Sequence, residues 1–136
     1  MPISPTYSKT IIIPQSSIDE NGHVNNVAYV QWMQDIAVEH YASIGGIQAQ
    51  GPDATWVVRG HKIEYFLPAF TGEEIEIRTW VENIQRVRSM RKYEFIRRSD
   101  GKTLVKGETD WVFVDTKSGR PLAIPEEVKN VFVNQR

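Results

Sequence analysis

Cysteine is absent from the chain, which removes thiol nucleophiles, thiolate metal sites and disulfide frameworks together. A reducing compartment suits such a composition, and the expected location is cytoplasmic. No run approaches the roughly 18 apolar residues of a membrane span. The opening Met1-Pro2-Ile3-Ser4-Pro5 carries neither a basic leader nor an apolar stretch of signal-peptide length. Charge of one sign is also lacking: 16 basic residues stand against 17 acidic ones, for a net charge of −1. No bulk field therefore draws the chain towards nucleic acid or an anionic membrane. The three histidines show neither His-x-His nor His-Glu-x-x-His spacing, so no metal site is expected. Internal repeats, low-complexity tracts and linkers are missing too, which predicts a single domain over residues 1–136. A chain of this length buries roughly two thirds of its unfolded surface.

What is present concentrates in Asp19-Glu20-Asn21-Gly22-His23-Val24-Asn25-Asn26, with a long apolar segment from Val27 to Ile44 behind it. Val27, Val30, Met33, Ala37, Tyr41 and Ile44 recur at helical spacing, with Trp32, Ile36 and Val38 broadening the face. The polar residues Gln31, Asp35, Glu39 and Ser43 leave only a narrow stripe for water, so this helix should be mostly buried. Gly45-Gly46 should end it.

Strand-like runs flank the helix. Tyr7 to Ile13 is β-branched and aromatic and stops at Pro14. After the helix come Thr55 to Phe66, Glu73 to Asn83, Arg88 to Arg98 and Thr103 to Asp115, with turn signals between them. A short helix should follow Pro125. This order predicts an α+β chain, a five-stranded antiparallel sheet wrapped around one long central helix. One helix covers only one face of such a sheet, and Trp56 and Trp80 suggest that part of the other is apolar. Self-association is the expected remedy.

Chemistry at the start of the helix follows from its geometry. The first N–H groups lack intrahelical partners and carry a partial positive charge. They can stabilise the oxyanion of an attacked carbonyl, while Asp19 acts on the same carbon as nucleophile or general base. Each of Asp19, Asn21, Asn25 and Asn26 also suits a plain turn or helix cap.

The pattern Asp19-x-x-Gly22-His23-Val24-Asn25-Asn26-x-x-Tyr29-x-x-Trp32 resembles the hotdog-fold acyl thioesterases of the 4-hydroxybenzoyl-CoA thioesterase family. The tighter Asp19-x-Asn21-x-His23-Val24-Asn25-Asn26 is similar to the acyl-ACP thioesterase branch and to many bacterial acyl-CoA thioesterase-like proteins. The resemblance implies hydrolysis of an acyl-CoA, or of an acyl-ACP, with water as the only co-substrate and no cofactor. It makes Asp19 the catalytic carboxylate and places the oxyanion site at N–H groups around Asn26. Asn21 and His23 would orient water or move protons, beside Gly22. It implies a homodimer, or a tetramer of dimers, with the thioester between one subunit's helix and the partner's strands. The acid and cysteine that the acyl-ACP branch carries after its central helix are missing from the matching segment, Tyr65-Phe66-Leu67-Pro68-Ala69. A second subgroup places its acid in the helix, which keeps Asp35 and Glu39 as alternatives to Asp19.

Other candidates are less specific. His61, with Arg59 at period-2 spacing, could meet a carboxylate or phosphate, or be a solvated strand face. His23 could equally be a turn histidine, and His40 has no evident partner. The basic stretch Arg86-Val87-Arg88-Ser89-Met90-Arg91-Lys92 could hold the phosphates of coenzyme A, or guard a strand edge. A Ser at the position of Ser89 is frequent in the family.

Overall fold

The structure is a computed structural model that describes residues 2–134. Its elements run β1 (Tyr7–Ile12), α1 (Asn26–Ser43), α2 (Gly46–Gln50), β2 (Ala54–Tyr65), β3 (Glu74–Ile84), β4 (Arg88–Arg97), β5 (Thr103–Asp115) and α3 (Glu126–Val133). The strands form one antiparallel sheet in the order β1-β3-β4-β5-β2. This is the expected α+β arrangement, consistent with the hotdog fold. The order leaves β1 and β2 as edges and β4 at the centre.

Alternation on the central strands fixes which face is the core. Ile75, Ile77, Thr79 and Val81 of β3 are buried, as are Ser89, Arg91, Tyr93 and Phe95 of β4. Tyr93 stands across from Thr79 on one side and Gly107 on the other. Gly107 has a packing reason to be glycine: a Cβ there would come within 2.8 Å of the Met33 sulfur. The absent side chain lets α1 lie close against β5. The buried residues of α1 are Tyr29, Met33, Ile36, Ala37 and His40, and removing each large apolar side chain from water contributes about 1.5–3 kcal/mol.

The helix is less immersed than its composition suggests. Val27 and Val38 are exposed, because the apolar residues extend round more of α1 than the sheet can cover. Gly45 (φ +83°) ends α1, and α2 follows directly. A Cβ on Gly46 would clash with the Tyr41 ring, 2.2 Å from two of its carbons, so α2 turns hard against the end of α1. α3 buries Val128 and Phe132 in a second core cluster with Ala54, Val81, Phe113 and Ile124. Three helices thus share the covering of the inner face. Trp56, expected on the outer face, packs inward instead, 5.0 Å from the Phe113 ring and 6.4 Å from that of Tyr41.

Candidate active site

The loop ahead of α1 is a small hairpin. Ile18 bridges Val24, the Asp19 N–H donates to the His23 carbonyl at 2.9 Å, and the Gly22 N–H donates back to the Asp19 carbonyl at 3.0 Å. Gly22 takes φ +84°, a left-handed value that side chains other than Asn and Asp rarely adopt. That residue closes the loop and brings His23 beside Asp19. The Asn21 N–H donates to Asp19 Oδ1 at 2.9 Å, while Oδ2 lies 3.8 Å from His23 Nδ1. One carboxylate oxygen is thus fixed by the backbone, and the other faces an imidazole across a gap that a small movement or a water can close.

The same hairpin sets the entry of α1. The Asn25 N–H donates to the Ser17 carbonyl, and the Val24 N–H to the Ala69 carbonyl. The Asn25 side chain caps the helix by accepting from the Val27 N–H at 2.8 Å. Asn26, the first helical residue, is exposed, and among the described residues its N–H has no recorded acceptor. It is an open donor at the positive end of an 18-residue helix. One turn on, Tyr29 lies in a nest of rings, 5.6 Å from Trp32, 5.7 Å from Tyr65 and 5.1 Å from Phe95. Burial, and then the neighbouring Tyr65 and Glu73, push the Tyr29 hydroxyl pKa up to about 12.

The helical acids are otherwise engaged. Asp35 accepts from Gln31 Nε2 at 2.8 Å, and Glu39 from Lys9 Nζ at 2.8 Å. On β2 a bulge interrupts the register between Val58 and Gly60. Arg59 occupies that bulge, so the simple alternation expected to align it with His61 is broken there. His61 Nδ1 lies 2.9 Å from Thr109 Oγ1, and desolvation lowers its pKa.

The basic stretch does not make one surface, and it lies at no strand edge, since β4 is the central strand. Arg86 is exposed in the β3–β4 turn. Arg88 makes a two-pronged contact with the Asp110 carboxylate, which raises its pKa above the ordinary arginine value. Lys92 lies 3.8 Å from Glu108. Ser89 and Arg91 point the other way and are buried, with Ser89 Oγ donating to the Asn83 carbonyl. Arg91 contributes to the wall of a cavity of about 220 Å³ formed with the second half of α1, α2 and the start of β2. Sequence reading took Tyr41 for a packing position of the helix and Trp56 for the outer face, and passed over Trp111, yet all three stand on that wall. The available signal was the alternation Ser89, Arg91, Tyr93, Phe95, which already places an arginine among core positions. Among the described residues no cluster of three His, Asp or Glu side chains could hold a metal ion.

No curated protein matches the chain. Solved structures do match in fold. The PA5185 protein of Pseudomonas aeruginosa superposes with a TM-score of 0.84 at 24% identity, over 94% of this chain and 90% of that one. A 1,4-dihydroxy-2-naphthoyl-CoA thioesterase from Synechocystis gives 0.84 at 16% identity, over 96% of this chain and 97% of its own. A Staphylococcus aureus protein solved in complex with CoA gives 0.85 at 15% identity, over 96% and 84%. Residues 13–132 match the thioesterase-like superfamily, and that span runs from the end of the first strand into α3, through both the Asp19 hairpin and the start of α1. The chain belongs to the thioesterase-like superfamily.

Proposed function

We propose that this protein hydrolyses an acyl-CoA thioester to the free acid and CoA. The observation that carries the reading is that the Asp19 hairpin leads directly into α1, whose first N–H, that of Asn26, is open. A thioester carbonyl seated there has a carboxylate on one side and a helix N-terminus on the other. Asp19 acts either as base, taking a proton from the attacking water, or as nucleophile, forming an acyl-aspartyl anhydride that water then opens. On either route the carbonyl oxygen becomes an oxyanion facing the Asn26 N–H. The C–S bond breaks, and the CoA thiolate takes up the proton released from water. Asn21 and His23 hold the water at the free Oδ2 of Asp19, and Gly22 keeps the loop backbone low enough for the pantetheine arm to pass. No metal or organic cofactor takes part.

The assembly that completes the site is a homodimer, with α1 as the long central helix of the hotdog arrangement in each copy, and a tetramer of dimers built from it. β2 is a 12-residue strand at an open edge, and such an edge calls for a partner. Val57, Tyr65 and Phe66 on and just past it are 43%, 46% and 50% exposed, and Val27 at the start of α1 is 73% exposed. A second copy laid along β2 covers this apolar surface and carries Arg59 and His61 to the interface. Arg86, exposed in the β3–β4 turn, meets the nucleotide phosphates, and Arg88 joins it only by leaving Asp110. The CoA complex of the Staphylococcus aureus neighbour supports CoA rather than a carrier protein.

The test is thiol release across acyl-CoA esters of different chain length, alongside the same acyl groups on a carrier protein. Release from CoA esters supports the reading. Release from the carrier alone transfers the chemistry to an acyl-ACP, and release from neither makes the protein an acyl binder.

A further inference from the structure

The cavity at the far end of α1 is a separate place from the Asp19 hairpin. Ala37 and Tyr41 on its wall lie 11 and 15 residues beyond Asn26, about 16 and 22 Å along the helix. Its apolar lining comes from Ala37, Val38, Ile47, Val81 and Phe132. Val38 and Ile47 are 59% and 52% exposed, which puts them at a mouth open to solvent.

The feature that apolar packing does not explain is Arg91. The residue is 4% exposed, yet among the described residues no carboxylate lies within ion-pair distance. Its recorded hydrogen bonds both leave from Nη1, to His40 Nδ1 at 2.9 Å and to Thr79 Oγ1 at 3.1 Å. A guanidinium has no acceptor, so His40 Nδ1 must be the unprotonated nitrogen of its ring, and both partners are neutral at that contact. The Phe132 ring, 5.9 Å from the guanidinium carbon, adds a cation–π contact. Burial pulls the pKa of Arg91 down to about 10, which leaves it charged at neutral pH. A buried cation held only by neutral groups is costly unless an anion completes it. The wall offers further donors. The Trp56 indole N–H leans towards the Tyr41 hydroxyl and the Trp111 indole N–H towards that of Tyr93, but among the described residues none of these four groups closes a hydrogen bond of normal geometry.

We propose that this cavity binds a small apolar carboxylate, its acid group on Arg91 and its hydrocarbon body against α1, α2 and Phe132. A planar carboxylate matches the guanidinium fork, and the indole N–H groups can reach its remaining lone pairs. The size fits as well: an apolar cavity of about 150 Å³ accepts benzene, so about 220 Å³ accommodates a body the size of benzoate or a medium-chain acid. The site is independent of the hydrolytic reading, because it needs neither Asp19 nor a thioester.

Trp56 and Trp111 provide the readout. Octanoate and benzoate, titrated into the full chain, should change tryptophan fluorescence saturably. Octanol and benzyl alcohol should bind about tenfold or more weakly, as expected when a charged hydrogen-bonding group is removed. Arg91→Met should abolish that preference, and Val38→Trp, at an exposed position on the mouth, should block both ligand types. Equal binding of acid and alcohol, no binding of either acid, or a preference that survives Arg91→Met would overturn the proposal. Should Arg91→Met fail to fold, unchanged octanoate binding by Val38→Trp overturns it instead. Since no thioester is present, failure of hydrolysis and failure of this site are read separately.

Discussion

The Asp19 carboxylate stands 3.8 Å from the imidazole Nδ1 of His23, across a turn that Gly22 closes at φ +84°. The pair is held by backbone rather than by packing, since Asp19 and His23 exchange one main-chain hydrogen bond and Asp19 accepts from both Gly22 and Asn21. Both side chains remain partly open to solvent, as groups that handle water must.

Gly22→Ala tests the turn. Nothing lies within 4 Å of a Cβ built there, so the only penalty is the left-handed backbone, about 1–2 kcal/mol for a residue with a side chain. Thermal unfolding should register that loss. Activity should fall further than stability does, because the turn also aims Asp19. A variant with wild-type kcat would show that the turn geometry is immaterial.

Asn25→Ala tests the start of the helix. Loss of the 2.8 Å bond to the Val27 N–H should cost about 1 kcal/mol of stability by denaturant titration. Asn25→Asp keeps the acceptor and should restore most of it. Equal loss in both variants would remove the cap from the account.

Two buried groups give opposite alkaline responses. Tyr29, with its pKa up to about 12 in the folded chain against about 10 unfolded, keeps its proton while the unfolded chain loses its own. Its contribution is full below pH 10 and is lost as pH rises to 12. Arg91, pulled by burial from above that range down to about 10, releases its proton first in the folded chain, so its contribution rises through the same window. A tenfold difference in proton affinity between folded and unfolded chain is worth about 1.36 kcal/mol, so each effect is roughly 2–3 kcal/mol. Between pH 10 and 12 Tyr29→Phe should therefore gain stability relative to wild type, and Arg91→Met should lose it. Denaturant midpoints at several pH values check both signs, and parallel curves for all three proteins would refute the assignment.

The sheet was legible because alternation is a strong signal. Ile75, Ile77, Thr79 and Val81 predict one buried face, and the structure buries all four. The start of α1 was readable from Asn25 and Asn26 next to an apolar period. α2 was not, since Gly-Ile-Gln-Ala-Gln has too few residues to show a helical period, and its place depends on Gly46 meeting the Tyr41 ring. The bulge at Arg59 was equally hidden, because one unpaired residue leaves no trace in composition. Arg86 to Lys92 read as a single basic patch because charge suggests surface. Strand parity overrules that, sending Arg88 and Lys92 to Asp110 and Glu108 and Arg91 to His40.

Assembly is tested by sedimentation at micromolar concentration. The exposed edge of β2 and the apolar residues beside it predict a dimer or a tetramer. A lone species of 15.6 kDa would contradict the interface site.

The central claim rests on Asp19, and thiol release from acyl-CoA by wild type and Asp19→Asn tests it most directly. The substitution keeps the shape and the contact with the Asn21 N–H while removing the charge. Wild type should release CoA, and the variant should fold normally with kcat lower by about 100-fold or more. A folded Asp19→Asn protein that keeps more than about a third of wild-type kcat would contradict the account and return the chemistry to Asp35 or Glu39.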